Sequence, residues 1–376
     1  MLKCKICDLP GSGNHFGISS CRACAAFFRR TTSRKYPLKC SGNEKCEIFD
    51  SKTQQYKCKK CRMEKCLKMG MKTENFQFGR DPIIRHAAKN KPEFLKFEKK
   101  PSGKNYIDLT KLLNKAEQIS SSDKPKIIKN LTTLLNLAHG LESVRNLPSS
   151  KNYRFLRKWD VEDKLKEWET SFLIVAKWLT YFEKFQMLDV PLKMEFLIGI
   201  WHTWVLFDKL FLNFHARKNG FGSGNVIMGY DTYYSWNNTI DMSGFSKIDE
   251  ENADEFIRCI DWNMLNFIDP LMRLNPDNVE MMFMICKFSF SYAGKRFQGQ
   301  ILEISENFLD ILSNDLHDYY SNRNVRYSIR LAELLKFVRS VENDFLEKQK
   351  KVDIGDIFDI WKVEFSHPQV FKDNLC

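Results

Sequence analysis

Eight cysteines near the start of the chain fall into a spaced series, and in such a setting thiolates are metal ligands before anything else. From Cys4 the spacing runs C-x2-C-x13-C-x2-C, then fifteen residues, then C-x5-C-x11-C-x2-C. A C-x2-C pair can place two sulfurs on one ion, and four sulfurs close a tetrahedral zinc shell. The pattern predicts two structural zinc ions, one on Cys4, Cys7, Cys21 and Cys24, the other on Cys40, Cys46, Cys58 and Cys61. Full shells leave no position for a catalytic water, and no H-x-E element precedes the cysteines as a zinc deaminase would need. Cys66 is left over and reads as a packing thiol, while Cys259, Cys286 and Cys376 have no ligand-like spacing. So short a segment has little core, so metal ligation itself should drive its folding.

The charge lies in the same place. The chain carries a formal +12, but residues 1–75 hold 17 Lys and Arg against 6 Asp and Glu. Residues 76–122 hold 10 against 5, and the remaining stretch is near neutral with 32 against 36. A basic end joined to a neutral body points to a polyanion-binding module on a different kind of domain. Between the zinc sites runs CRACAAFFRRTTSRK. At helical spacing Arg22, Ala26, Arg29 and Ser33 share one face with Arg30 at its margin, and Cys24, Phe27, Phe28 and Thr31 turn the other way. The phenylalanines read as core. The arginines could be a merely solvated face, yet a cationic face mounted on a zinc site suits nucleic acid, and such a helix fits the DNA major groove.

These motifs carry a resemblance. The first cysteine series followed by AFFRR, and then KCKKCRMEKCLKMGM, resembles the DNA-binding domain of nuclear hormone receptors, in the nematode-expanded branch related to the hepatocyte nuclear factor receptors. The resemblance covers residues 4–71. It implies that His15, in the His15-Phe16-Gly17 step, meets a phosphate, that Arg22, Ala23 and Ala26 hold the discriminating positions and that Arg30 holds a guanine-reading one. Arg29 is expected at the DNA from its place on the basic face, and Lys59 is expected on the phosphate backbone. Ala25 stands where the family commonly has a guanine-reading lysine. The loop Glu47 to Lys57 has eleven residues where the family usually has nine. The second helix should begin near Cys58 and end at Gly70, a natural cap.

Behind this module, residues 76–122 carry Pro82, Pro92 and Pro101 among lysines and read as a basic hinge. Order is expected to resume at Asp123, with Pro125 in the first helical turn and Ile128, Leu131, Leu135, Ala138 and Leu141 at helical spacing. Apolar periodicity predicts further helices over 165–188, 192–214, 255–272, 279–290, 300–316 and 325–347, with a short hairpin in Val226 to Trp236. The expected architecture is a small zinc-stabilised two-finger α domain over 1–75 and a large, layered all-α domain over 123–376. The apolar run Phe196 to Phe207 is too short for a bilayer span of about 20 residues, so no membrane is expected as a partner. Met1 to Asp8 is polar and cysteine-bearing, so no secretory signal is expected and the chain reads as soluble and intracellular.

AKWLTYFEKFQMLD is similar to the receptor signature spanning two helices of the ligand-binding domain. By that likeness Lys177 clamps one end of a coactivator helix, and Asp373, in Val370 to Leu375, clamps the other. IFDIW at Ile357–Trp361, with Asp359, is a second placement. The family also implies a nuclear location, transcriptional coregulators, a homo- or heterodimer partner and a lipophilic ligand in an apolar pocket. Residues 76–376 hold 26 of the 30 Phe and 9 of the 13 Met, enough for such a lining, though core packing needs them too. The reading is a zinc-dependent, sequence-specific regulator of transcription that binds double-stranded DNA. A zinc-built protein adaptor would not need the basic charge, and a ligase-type cross-brace would include a histidine ligand that His15 does not supply. An enzyme in the helical domain would need a catalytic constellation, and no Gly-rich phosphate loop or nucleophile elbow stands out, so no enzyme is expected.

Overall fold

The computed structural model describes residues 3–11, 13–32, 38, 40, 42, 46–50, 53, 55–71, 91–100, 103–122, 127–147, 153–221, 226–240, 244–247, 264–323 and 327–371. The chain divides into two units, Met1–Lys89 and Asn90–Cys376.

In the first unit, strands β1 (Asn14–His15) and β2 (Ile18–Ser19) form a tight hairpin that Phe16 and Gly17 turn with positive φ of 55° and 91°. Helix α1 (Arg22–Thr32) follows, then the hairpin β3 (Phe49–Asp50) and β4 (Gln55–Tyr56), then α2 (Lys59–Lys68). Gly70, at φ 92°, reverses the chain after α2, and Met71 N–H bonds back to the Cys66 carbonyl at 3.0 Å. That geometry needs a glycine because an L side chain is strained at such a φ. The core beneath is small: Ile6, Ile18, Phe28, Ile48, Cys66 and Met71 pack around the cysteines.

The second unit opens with β5 (Phe97–Lys99), β6 (Asn105–Ile107), α3 (Thr110–Ser122), α4 (Thr133–Arg145) and β7 (Arg154–Trp159). Helices α5 (Val161–Leu179), α6 (Glu183–Gln186) and α7 (Val190–Lys218) come next, then strands β8 (Val226–Met228) and β9 (Thr232–Ile240). The chain continues with α8 (Leu265–Leu274), α9 (Asn278–Phe297), α10 (Gly299–Ser321), α11 (Ser328–Ile357), β10 (Val363–Phe365) and a 3-10 turn at Pro368–Val370. Local chemistry starts these helices: Asp160 and Asp189 cap α5 and α7, and Asp277 with Glu280 forms a capping box on α9. Helix α7 is buried nearly all round and packs on α5 and α9. Beside it Phe182, Phe196, Phe290 and Phe308 meet with ring centroids 4.3 to 6.2 Å apart. Each such burial is worth roughly 1.5–3 kcal/mol. Among the described residues no helix is long and apolar enough to cross a membrane.

Several expectations need correction. Residues 91–122 of the expected hinge belong to the second unit: Leu95, Ile107, Leu109, Leu112, Ala116 and Ile119 are buried there. The lysines there are not a solvated linker: Lys100 and Lys104 flank the turn between β5 and β6 and pair with Glu364 and Asp359. The helix expected from Asp123 starts at Thr133, capped by Thr132; Asp123 and Pro125 lie outside the described residues. The span 165–188 is broken at Thr180, whose Oγ1 donates to the Lys177 carbonyl at 2.7 Å. Of 255–272, residues 255–263 lie outside the described residues and α8 covers the rest. The β8–β9 hairpin stands where the run of β-branched and aromatic residues places it, but β7 joins β9 in parallel and β10 joins β6 in parallel, and neither pairing was anticipated.

Candidate zinc centres and nucleic-acid interface

Both expected cysteine sets assemble. In each, the four sulfurs lie within 4.8 Å of one another. Cys7 and Cys21 sulfurs are 3.7 Å apart, and Cys40 lies 3.5, 3.6 and 3.8 Å from those of Cys46, Cys58 and Cys61. A tetrahedral shell with Zn–S near 2.3 Å has an S–S edge of about 3.8 Å, so both donor sets fit zinc. The chain thus has the framework for two structural zinc ions.

Helix ends position the ligands. Cys21 precedes α1 and its sulfur accepts from Cys24 N–H at 3.4 Å; Cys58 caps α2 and accepts from Cys61 N–H at 3.5 Å. Helix N-termini carry partial positive charge and favour thiolates. As bare thiols the groups oppose one another's ionisation: the bonds to Cys40 and Cys61 push Cys46 up to about 12, and burial pushes Cys24 well up. Zinc must displace those protons, so its binding weakens in acid. Cys66, fully buried outside both shells, is pushed up to about 11 by burial, as suits a packing thiol.

One supporting residue escaped the sequence reading. Arg62, on the inner face of α2, aims Nη2 at Cys24 Sγ, 3.2 Å away, and lies over the Tyr56 and Phe27 rings at 3.4 and 4.4 Å. Tyr56 itself donates to Cys7 Sγ at 3.8 Å. The loop longer than the family's usual nine residues therefore carries a hairpin that returns to the first metal site. A buried guanidinium beside a thiolate shell offsets its negative charge and orients it. Only the position after Cys61 in KCRMEKC hinted at this role.

On α1, Cys24 and Phe28 are fully buried and Phe27 and Thr31 half-buried, while Arg22 and Ala23 are exposed and Ala26 half-exposed. Ala25 is buried. The side chains of Arg29 and Arg30, and all of Ser33, lie outside the described residues. His15 is half-buried on β1, and Lys59 is exposed in the first turn of α2.

In the second unit Lys177 is exposed in the last turn of α5. Asp373 lies outside the described residues. Val370 and Phe371, expected to open a terminal helix, instead form the 3-10 turn and its end: Trp201 Nε1 donates to the Val370 carbonyl at 2.8 Å, and Phe371 packs on Trp168 and Trp201. Asp359, the second placement, is held by Lys104 and Lys247.

Known families match both units. The double treble clef zinc finger of C4 type matches residues 2–73, and the ligand-binding domain of nuclear hormone receptor matches residues 149–358. In Caenorhabditis elegans, nuclear hormone receptor family member nhr-130 is 38% identical, over 98% of this chain and 91% of its own length. Family member nhr-65 is 35% identical over 100% of this chain and 97% of its own, and nhr-103 is 34% identical over 98% and 97%. With a C4 zinc module at one end, a receptor ligand-binding domain behind it and such relatives along its length, the chain belongs to the nuclear hormone receptor family of ligand-regulated transcription factors.

Proposed function

We propose that α1 is the reading helix, lying in the major groove with Arg22, Ala23, Ala26, Arg29 and Arg30 towards the bases. His15 then meets a phosphate, and Lys59 neutralises one. The observation that carries this reading is a helix anchored through Cys21 and Cys24 to a thiolate cluster, with Arg22 and Ala23 exposed, in a segment of 17 basic against 6 acidic residues. Phosphate contacts give affinity and base contacts give sequence. Selecting duplexes from a random pool, with and without chelator, tests it. Arg30→Ala should relax preference at one base position by roughly 1–3 kcal/mol. Lys59→Ala should weaken all duplexes alike and flatten the salt slope by about 0.9. Equal effects of both on every duplex would refute the assignment.

The finer regulatory reading places Lys177 and Asp373 at the two ends of an amphipathic coregulator helix, the lysine meeting the guest's terminal carbonyls and the aspartate its first amides. Exposure of Lys177 at a helix end supports it. Lys177→Glu should abolish binding of a helical coregulator peptide and leave DNA affinity unchanged. Peptide affinity unaltered by Lys177→Glu would remove the clamp. The protein acts in the nucleus, alone or with a second receptor, through binding rather than turnover.

A further inference from the structure

The C-terminal segment rests on the stretch of chain that opens the second unit, just behind the boundary at Lys89. Strand β10 has three residues and lies at the edge of its sheet, parallel to β6. Asn105 N–H bonds to the Lys362 carbonyl at 2.7 Å, and Ser366 N–H to the Ile107 carbonyl at 3.1 Å. Glu364 pairs with Lys100 and Lys104. So short a strand makes too few bonds to stay ordered unaided, and its order depends on β6 being in place. The flanks of the segment are fastened to the helical body instead, through Lys362 N–H on the Phe245 carbonyl at 2.7 Å and Trp201 Nε1 on the Val370 carbonyl at 2.8 Å.

The arm that carries β5 and β6 is itself tied down where it begins. Glu169, on α5 and 1% exposed, accepts from the backbone N–H groups of Glu93, Phe94 and Leu95 at 3.1, 2.7 and 3.3 Å. Lys166 Nζ lies 3.0 Å from its Oε1. Bonds to a carboxylate are roughly twice as strong as neutral ones, and three donors converging on one side chain fix the course of the chain as it enters the arm. Leu95, beside them, is fully buried. A row of rings then joins the arm to the C-terminal segment. Phe97 meets Phe245, Phe245 meets Trp168, and Trp168 meets Phe371, at centroid distances of 5.2, 5.4 and 4.5 Å. Trp168 precedes Glu169 on α5, so one turn of that helix holds both the arm and the segment lying on it.

We propose that residues 93–107 are a strap that holds the C-terminal segment closed, with Glu169 as its latch, so that strap and segment leave the helical body as one unit. The strap continues the chain that leaves the first unit. What orders or loosens that stretch therefore reaches the C-terminal segment without repacking the helical core. The inference is independent of the DNA and clamp readings and can fail while they stand.

Hydrogen exchange of the zinc-loaded full chain, read by mass spectrometry, tests it. Glu169→Gln keeps the size of the side chain and removes its charge. Exchange in 93–107 and in 361–371 should then speed up together, about tenfold, with α9 and α10 unchanged. Leu95→Ala, which empties the buried anchor of the strap and leaves Glu169 in place, should speed exchange in the same two stretches by about tenfold or more. Exchange in α9 and α10 shows whether each variant remains folded, and Leu95→Ala carries the test if Glu169→Gln does not. Faster exchange in 93–107 with 361–371 still protected, in either folded variant, overturns the proposal. So does unchanged exchange in both stretches.

Discussion

Stripping metal from the full chain with a strong chelator unfolds the first unit and leaves the second folded. Each four-thiolate site supplies an apparent folding energy of roughly 10–16 kcal/mol at neutral pH. Among the described residues the core beneath the two sites is small, built on Ile6, Ile18, Phe28, Ile48 and Met71, and cannot replace even one ion. Hydrogen exchange after chelation should therefore show full loss of protection in α1 and α2, with α7 and α9 unchanged. A thiol-independent zinc dye should count two ions released per chain, and acid should release them too, because the thiols must be deprotonated to ligate. Cys24→Ser should unfold α1 as thoroughly as the chelator. One released ion, or protection surviving in α1 without metal, would contradict the two-site framework.

Arg145→Met should destabilise the second unit by about 3–5 kcal/mol, the usual cost of stranding one member of a buried ion pair. Asp208 is fully buried, and Arg145 and Tyr230 are its partners on α4 and beside β8. Removing the guanidinium leaves a carboxylate in low dielectric with a single neutral donor. The double variant Arg145→Met with Asp208→Leu should recover much of the loss, because no charge is left stranded. Urea unfolding of the three proteins measures this. A loss below about 1 kcal/mol in the single variant would mean that water or another cation reaches Asp208.

What the sequence determined by itself is what short-range chemistry specifies. Cysteine spacing names both ligand sets because a C-x2-C pair chelates within one turn. Asp189 before Val190 and Asp277 three residues before Glu280 start helices by bonding their own first turns. The β-branched and aromatic run Val226 to Trp236 places the hairpin, since a tight turn joins its strands. Apolar periodicity likewise locates α7, α9 and α10, though it runs past the stop at Thr180.

Tertiary structure alone decided the rest. A parallel pair has no turn to announce it, so β7 on β9 and β10 on β6 leave no local mark. The lysine-rich stretch 91–122 folds because Leu109, Leu112, Ala116 and Ile119 find distant apolar partners, and its charges find Glu364 and Asp359. Arg62 becomes part of the first metal site only when α2 packs on α1 and brings it to Cys24, 38 residues away. Arg145 on α4 and Asp208 on α7 cancel only because the fold brings together charges 63 residues apart. Spacing along the chain specifies bonds within a turn or two; bonds across it depend on which faces the packed core leaves adjacent.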